Sequence, residues 1–362
     1  MRSNDGSVEH TLVAVGDIML GDSAICVGFG FHSHYTKDAS QAFADVAPLL
    51  QSGEIVLGNL ECLLVNTGSG STRYRRDQMR GDPQYASTLR SAGFTALSVA
   101  NNHAMQHGRN AFEGTVETLR KAGIVCVGLR GDDGWCAEPI TVTTRAGLRV
   151  GLLGYSWRPR QYDTSEAPYA EGDVDAAVSD VRRLRRTTDT VVVSLHWGED
   201  FVQLPSVSEV NTAHRIIDAG ATVIVGHHPH VVRPVERYAR GLICYSLGNF
   251  VTDMLWQPEL RRGGVLECRL GRGEVSEIRV SSVRADDLYR PLRETAAVEI
   301  LDVPTRGIAE AAYSAEAAHS VRRQRRSAYG FTARNTRRYP PSVLSQMLLT
   351  TLRNKIFALF RR

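Results

Sequence analysis

An apolar run that ends in glycine and leads directly into three histidines restricts the fold more than any other part of the chain. Residues 223–225 (Val-Ile-Val) are predicted to form a buried strand that stops at Gly226, and His227, His228 and His230 follow. In open α/β sheets, binding sites lie just outside the carboxyl ends of the parallel strands. The segment therefore predicts a strand that delivers imidazole side chains to a site at the edge of a sheet.

The same succession of an apolar strand and a polar cluster recurs along the chain. The polar side chains that follow the other predicted strands are Asp17, Asn59, Glu61, Asn101, Asn102, His103, His196 and Asn249. Helices are predicted at about 40–51, 82–92, 109–122, 173–187 and 206–219. This alternation is typical of a layered α/β core, and a late hairpin at about 264–283 adds antiparallel strands. We therefore expect an α/β fold, a two-sheet β-sandwich flanked by helices.

Four segments differ in composition. Residues 1–10 are polar and predicted to be disordered, 11–285 contain the strands and polar clusters of one domain, 286–340 form a basic helical or irregular extension, and 341–362 form an amphipathic basic helix. The formal net charge is +4, yet residues 317–362 contain eleven Lys and Arg and no acid. The body of the protein is therefore acidic and its tail basic.

No signal peptide is visible, and no apolar run reaches the roughly 18 residues of a membrane-spanning helix. We therefore expect a cytoplasmic location. The basic C-terminal helix suits peripheral contact with an anionic membrane, and docking on the protein's own acidic body or on a partner is the alternative. Nucleic acid is not expected as a partner, because no recognition motif accompanies the charge.

The polar groups at the strand ends are typical ligands of divalent metal ions. Carboxylate, amide and imidazole groups together suit a pair of Mn, Fe or Zn ions, which would clamp a phosphoryl or similar group and activate a water. Each residue also has an ordinary explanation: Asp17 as a turn residue, Glu61 as a capping acid, His196 as a hydrogen-bonded core histidine. Because ligand-type side chains recur at five strand ends, we favour the metal site.

Six motifs in order resemble those of the CapA-type poly-γ-glutamate capsule biosynthesis proteins, which are similar to the calcineurin-like metallophosphoesterases. The motifs are Gly16-Asp17-Ile18-Met19-Leu20, Asn59-Leu60-Glu61, Ala100-Asn101-Asn102-His103, His196-Trp197-Gly198, Gly226-His227-His228-Pro229-His230-Val231 and Ser246-Leu247-Gly248-Asn249-Phe250. The resemblance covers about residues 11–285. It implies a calcineurin-like fold and a binuclear metal centre.

The resemblance also implies a role for each motif residue. Asp17 and His230 would bind one metal, Asn102, His196 and His228 the second, and Glu61 or Asn59 would bridge the two, with His103 as general acid. The residues expected around these ligands or at the rim of the site are Asn59, Asn101, Gln106, Trp197, His227 and Asn249.

Two positions depart from the pattern of the related families. Phosphoesterases of the superfamily usually carry Asp-x-His in the first motif, where this chain has Asp17-Ile18-Met19. CapA-type proteins tend to have Asp three residues after the histidine of the third motif, where this chain has Gln106. Gln orients an imidazole but does not neutralise its charge, so His103 is expected to be a weaker acid catalyst here.

Two functions fit these observations. One is a metal-dependent hydrolase, cleaving a phosphoester or an amide, in the synthesis of poly-γ-glutamate or a related cell-envelope polymer. The other is a non-catalytic accessory protein that binds an anionic polymer in the same cleft, or a relative that acts in another biosynthetic pathway. The expected partner is an anionic polymer or a phosphorylated substrate, and Arg73, Arg75, Arg76 and Arg80 form either a loop that captures it or a solvated surface.

Overall fold

The computed structural model describes residues 10–36, 38–66, 72–158, 162, 166–171, 173–301 and 306–359. For residues 297, 301 and 351–359 it describes the backbone alone. The predicted disordered N-terminus therefore lies outside the described residues except for His10, and so do the side chains of residues 351–362 of the predicted C-terminal helix.

Two mixed sheets form the centre of the protein. The first has the strand order β16-β15-β14-β1-β2-β5-β6, with β13 parallel to β1. Its strands are β1 (Thr11–Ile18), β2 (Ile55–Leu60), β5 (Ala96–Ser98), β6 (Val125–Val127), β13 (Asn249–Val251), β14 (Arg262–Leu270), β15 (Val275–Ala285) and β16 (Pro291–Ala297). The short strands β3 (Leu63–Leu64) and β4 (Arg80–Gly81) pair with each other beside it.

The second sheet has the strand order β17-β11-β12-β10-β9-β8-β7. Its strands are β7 (Ile140–Thr143), β8 (Arg149–Ser156), β9 (Thr190–His196), β10 (Val223–His227), β11 (Val235–Tyr238), β12 (Gly241–Cys244) and β17 (Ile300–Leu301). Strands β8, β9, β10 and β12 run parallel, so their carboxyl ends meet at one edge.

Helices cover the outer faces of both sheets. They are α1 (Phe31–His34), α2 (Ala47–Leu50), α3 (Tyr85–Ala92), α4 (Arg109–Lys121), α5 (Val174–Leu184), α6 (Val207–Asp218), α7 (Glu310–Arg334) and α8 (Pro341–Leu359). The N-termini of α5 and α6 are capped by Asp173 and Ser206, and Glu209 completes a capping box at α6. No helix in the described part of the chain combines the length and the apolar character that crossing a bilayer requires.

Alternating residues of each strand face two different cores. In β1, Leu12 and Ala14 pack between the sheets, whereas Val13 and Val15 pack under the helices of the first half of the chain. Successive side chains of a strand point to opposite faces, so a strand buried on both sides must be apolar throughout. The predicted two-sheet sandwich flanked by helices is confirmed.

Two predicted elements have different bounds. Strand β10 does not stop at Gly226 but continues through it to His227, which pairs with His196 of β9. The predicted helix at 40–51 is instead a 3₁₀ turn, Ser40–Phe43, and a short α2, Ala47–Leu50, in which Pro48 occupies the first turn. Proline suits the first turn of a helix but removes a hydrogen bond from a helix interior, which accounts for the break.

The segment after residue 285 is part of the folded body. Strand β16 extends the first sheet beside β15, and β17 pairs with β11 in the second sheet. Helices α7 and α8 and the short segment between them then contact four loops in turn. These contacts are Tyr313 with Glu199, Gln324 with Trp256, Tyr339 with Ile25, and Gln346 with Tyr74. We call residues 306–350 the C-terminal strap.

Candidate metal centre

Strand register brings the polar motifs together. In the first sheet Asp17 of β1 pairs with Asn59 of β2 on one side and with Asn249 of β13 on the other. In the second sheet His196 and His227 pair across β9 and β10. Asn249 begins β13, and the other four lie at or next to the last residue of their strands. Their side chains therefore meet at one edge of the sandwich, where all the predicted ligands are found.

Glycine allows the backbone to approach closely at this edge. A Cβ on Gly16 would lie 1.9 Å from the carbonyl oxygen of Gly248, and one on Gly226 would lie 2.2 Å from that of Tyr245. The amide of Asp17 consequently donates to Gly248 O at 2.8 Å. Both motif glycines are therefore required for packing, since any side chain would push apart the strands that carry the site.

Two groups of donors share one carboxylate. Asp17, Glu61 and His230 form the first group and Glu61, His196 and His228 the second, and the candidate ligand atoms of each group lie within 4.8 Å of one another. Glu61 Oε1 lies 3.7 Å from His196 Nε2 and 3.9 Å from His230 Nε2. Glu61 thus occupies the position between two potential cation sites.

Two of the donors at the centre, Glu61 and His228, lack hydrogen-bond partners for their side chains in the described part of the chain. Both carboxylate oxygens of Glu61 and both ring nitrogens of His228 are buried without a hydrogen bond to any described residue. Unpaired buried polar groups are rare because each costs the free energy of its lost hydration. Burial and the nearby charge of Asp17 raise the pKa of Glu61 well above its usual value. These residues fit a bound cation, which would supply the missing partner.

A chain of amides orients the second donor group. His196 Nε2 contacts Asn102 Oδ1 at 2.8 Å, and Asn59 Nδ2 lies between Asp17 Oδ1 (2.8 Å) and His196 Nδ1 (3.3 Å). Asn101 donates to Asn59 Oδ1 and to Leu60 O, which fixes the Asn59 amide. Asn59 and Asn101 therefore support the ligands, whereas Glu61 occupies the shared position.

The pKa shifts within the first donor group, Asp17, Glu61 and His230, favour positive charge at this position. Burial lowers the pKa of His230, but Glu61 and Asp17 outweigh it and raise the pKa to about 10. Burial raises the pKa of Asp17, but the rings of His227 and His230 hold it well below its usual value. His227 Nδ1 lies 3.5 Å from Asp17 Oδ1, so His227 flanks the carboxylate.

At the other imidazoles the effect of burial outweighs that of the nearby charges. It lowers the pKa of His196 and His228 well below the usual value, and that of His103 to about 4. His103 Nδ1 contacts Gln106 Oε1 at 2.7 Å, which leaves Nε2 facing Glu61 Oε1 at 3.9 Å. Neutral imidazole is the form that binds a metal, and His103 is likewise neutral at physiological pH.

The loop after β10 has an unusual backbone. His228 and His230 have φ angles of 94° and 59°, in the left-handed region that costs side-chain-bearing residues roughly 1–3 kcal/mol each. The amide of His228 donates to Asp17 Oδ2 at 3.2 Å, and Phe201 N donates to Pro229 O. These contacts hold both rings over the strand ends against the strain.

Asp200 belongs to the site, although the sequence analysis did not select it. Its carboxylate lies 3.7 Å from His228 Nε2 and forms a third possible donor group with His228 and His230. The signal was a carboxylate four residues after His196 in the same loop. Tyr162 lies above His103, with ring centroids 5.8 Å apart.

Trp197 is not at the rim of the site. It is buried, stacks on Tyr245 with the ring planes 5° apart, and donates Nε1–H to Tyr245 O. It belongs to the core beneath α5 and α6. Neighbouring residues of a strand point to opposite sides, so His196 and Trp197 diverge. Met19, at the position of the missing motif histidine, is also packed in a core.

The family model and two curated relatives that match this chain describe proteins of bacterial capsule or PGA synthesis. The family model described as bacterial capsule synthesis protein PGA_cap matches residues 11–254. A capsule biosynthesis protein CapA of Bacillus anthracis is 31% identical over 68% of this chain and 60% of its own length. The PGA biosynthesis protein CapA of Bacillus subtilis is 27% identical over 76% of this chain and 74% of its own.

Solved structures resemble the chain only distantly. A putative 5′-nucleotidase of Staphylococcus aureus is 12% identical, with a TM-score of 0.41 over 87% of this chain and 58% of that one. A structural similarity of this degree does not indicate that the two proteins share a substrate or a reaction.

Proposed function

This chain belongs to the family of bacterial capsule synthesis proteins, and on that premise we propose that it is a metal-dependent hydrolase in the synthesis of poly-γ-glutamate or a related cell-envelope polymer. The chain spans 60% of the length of the Bacillus anthracis relative, so the activity of that whole protein enters only as part of this proposal. The expected substrate class is an anionic polymer or a phosphorylated intermediate.

The observation that supports a metal centre is the position of Glu61. Its carboxylate is shared by two donor groups and has no hydrogen-bond partner among the described residues. Asp17, Glu61 and His230 would hold one divalent ion, and Glu61, Asn102, His196 and His228 the other, with Mn, Fe or Zn suited to this set. A bound pair would polarise a phosphoryl or acyl group and lower the pKa of a water.

His103 is the residue best placed to handle a proton. Its ring is neutral at physiological pH because burial lowers its pKa to about 4. The hydrogen bond to Gln106 holds the ring proton on Nδ1, so Nε2 presents a lone pair towards the centre. His103 therefore accepts a proton at Nε2 first and returns it to the leaving group afterwards.

Metal content and turnover test this function together. The full chain is loaded separately with Mn, Fe or Zn, bound metal is measured by elemental analysis, and hydrolysis is followed with a γ-linked glutamate oligomer and with p-nitrophenyl phosphate. We expect about two ions per chain, fewer than about one in Glu61→Gln, and unchanged binding in the matched surface variant Glu117→Gln. His103→Gln should keep its metal and lose at least about a hundredfold in kcat. Fewer than about one ion in the unaltered protein would contradict the proposal.

A second function is favoured by two substitutions in the motifs. Met19 adds no ligand where related phosphoesterases usually have histidine, and Gln106 does not neutralise an imidazolium at His103. A protein that binds the polymer without cleaving it would have the same cleft. This alternative predicts metal-dependent binding of the glutamate oligomer with no product detected by mass spectrometry.

A further inference from the structure

An arginine-rich loop lies beside the candidate metal centre. Residues 72–80, which we call the arginine loop, end in β4, which pairs with β3 two residues after Glu61. The backbones of Gln78 and Asp22 form an isolated β-bridge, and the carbonyl oxygen of Gln78 contacts His107 Nε2 at 2.7 Å. His107 follows His103 by four residues, so the loop borders the same edge of the sandwich as the centre.

The arginine loop has more positive charge than its own acid can balance. Asp77 forms an ion pair with Arg76 at 2.7 Å and also accepts the amide of Arg73. Within the described residues, the exposed guanidinium groups of Arg73 and Arg75 have no ion-pair or hydrogen-bond partner. The Nε of Arg80 is buried and likewise without a hydrogen bond in the described part.

The C-terminal strap holds the arginine loop in place. The amide of Tyr74 donates to Gln346 Oε1 at 3.1 Å, and Ser342 Oγ donates to Thr72 O at 3.2 Å. Both strap residues belong to α8, which is anchored by the fully buried Val343. These contacts hold the backbone on both sides of Arg73, at the start of the loop, which lowers the entropy lost when its guanidinium group binds a ligand.

We propose that the arginine loop is a subsite for the carboxylate groups of an anionic polymer, beside the metal centre, and that α8 sets its position. Guanidinium groups bind carboxylates through two parallel charge-assisted hydrogen bonds, and Arg73 and Arg75 are accessible for this contact. The inference rests on the proposed function for its choice of a polycarboxylate, but binding at the loop does not require turnover.

Binding of a fluorescently labelled, γ-linked decamer of glutamate tests the subsite. The full-length variant Arg73→Gln/Arg75→Gln should raise the Kd about tenfold or more, measured by fluorescence anisotropy at fixed ionic strength. The control Arg322→Gln/Arg326→Gln removes the same charge from exposed positions of α7 and should change the Kd by less than about twofold. Equal losses in both variants, or none in the first, would overturn the proposal.

A second variant tests the role of α8. Ser342→Ala/Gln346→Ala removes both contacts to the arginine loop and leaves every arginine in place. We expect faster amide hydrogen exchange at residues 72–77 and a Kd about threefold or more above that of the unaltered chain. Faster exchange without any change in Kd would show that oligomer binding does not depend on the position of the arginine loop. The proposed role of α8 would then be wrong.

Two further readouts separate this inference from its alternatives. Oligomer binding that depends on Arg73 and Arg75 in a protein that hydrolyses nothing supports the subsite and rejects the hydrolase. Hydrolysis with unaltered oligomer binding in the Arg73→Gln/Arg75→Gln variant rejects the subsite and retains the hydrolase. If that variant loses binding to phosphatidylglycerol vesicles but not to the oligomer, the loop contacts a membrane and the proposal is wrong.

Discussion

Asn249 determines which nitrogen of His230 faces the candidate metal centre. The Asn249 Nδ2 group donates to Leu260 O at 2.8 Å, so its Oδ1 faces His230 Nδ1 at 3.0 Å. An amide oxygen accepts a hydrogen bond, so Nδ1 carries a proton and donates to Asn249. The other ring nitrogen, Nε2, is left pointing towards Glu61, 3.9 Å away.

Removal of this amide should weaken metal binding without unfolding the protein. Residues that orient a metal-binding histidine typically change metal affinity by about 10–100-fold, and we expect Asn249→Ala to fall in that range. Competition with a chelator of known affinity measures the effect. Asn211→Ala, at an exposed position of α6, is the control. Equal affinities in the two variants would show that Asn249 does not orient His230.

Two glycines should respond to alanine in opposite directions. Gly226→Ala places a methyl group 2.2 Å from the carbonyl oxygen of Tyr245, and we expect a loss of about 3 kcal/mol or more in the free energy of unfolding. Gly114 lies inside α4 with no atom within 4 Å of the added carbon, so Gly114→Ala should gain about 0.5–1 kcal/mol. Urea unfolding measures both. A stable Gly226→Ala protein would mean that β10 and β12 can separate.

A buried aspartate outside the metal centre should make stability depend on pH. Burial and the charge of Asp22 raise the pKa of Asp253 from 3.8 to about 7. Between these values the unfolded chain has already lost the proton that the folded protein keeps, so the contribution of Asp253 to stability is full below pH 4 and is lost as the pH rises through 7. The loss amounts to as much as about 4 kcal/mol.

Asp253→Asn should remove this dependence, because the amide stays neutral and its oxygen can still accept the hydrogen bond from Ser23 N. Urea unfolding at pH 4.5, 6 and 7.5 should give a flatter profile in the variant and higher stability than the unaltered chain at pH 7.5. Asp132→Asn, on an exposed loop, should retain the original profile. A slope that persists in Asp253→Asn would assign the pH dependence to another group.

The strap should also stabilise the loop that carries Asp200. The hydroxyl of Tyr313 on α7 accepts the amide of Glu199 at 2.8 Å and contacts the buried Arg233 at 3.0 Å. Tyr313→Phe removes one hydrogen-bond partner from the Glu199 amide and one from the Arg233 guanidinium. We expect the free energy of unfolding to fall by about 1–3 kcal/mol. Amide hydrogen exchange should accelerate at residues 199–201. Tyr329→Phe, at an exposed position of the same helix, should change neither quantity.

The motif residues could be predicted because strand ends and ligand chemistry leave a local signature. The position of Trp197 could not, because the pattern of the sequence does not reveal which face of a strand end turns to the core. Asp200 was missed for a related reason: it follows no strand directly, and only the turn through Phe201, at a φ angle of 66°, brings it to His228.

The strap shows a second limit of sequence reasoning. Helices at its positions follow from composition, but their docking depends on single long-range contacts, such as Tyr339 with Ile25. No periodicity encodes a hydrogen bond between residues so far apart in the chain. The predicted end of β10 was wrong, because the strand continues through Gly226 to His227. A glycine inside a strand, needed for close packing, has the same appearance in sequence as a glycine that ends one.

The contact between Asp17 and His228 joins residues that are 211 positions apart in the chain. At synthesis rates of about 5–20 residues per second, Asp17 leaves the ribosome on the order of ten seconds or more before His228. During that interval β1 has neither β10 nor β13 beside it, and the donor set is incomplete. The donor set is therefore complete only after most of the chain has been made, and any metal ion that binds there would bind to a nearly finished protein.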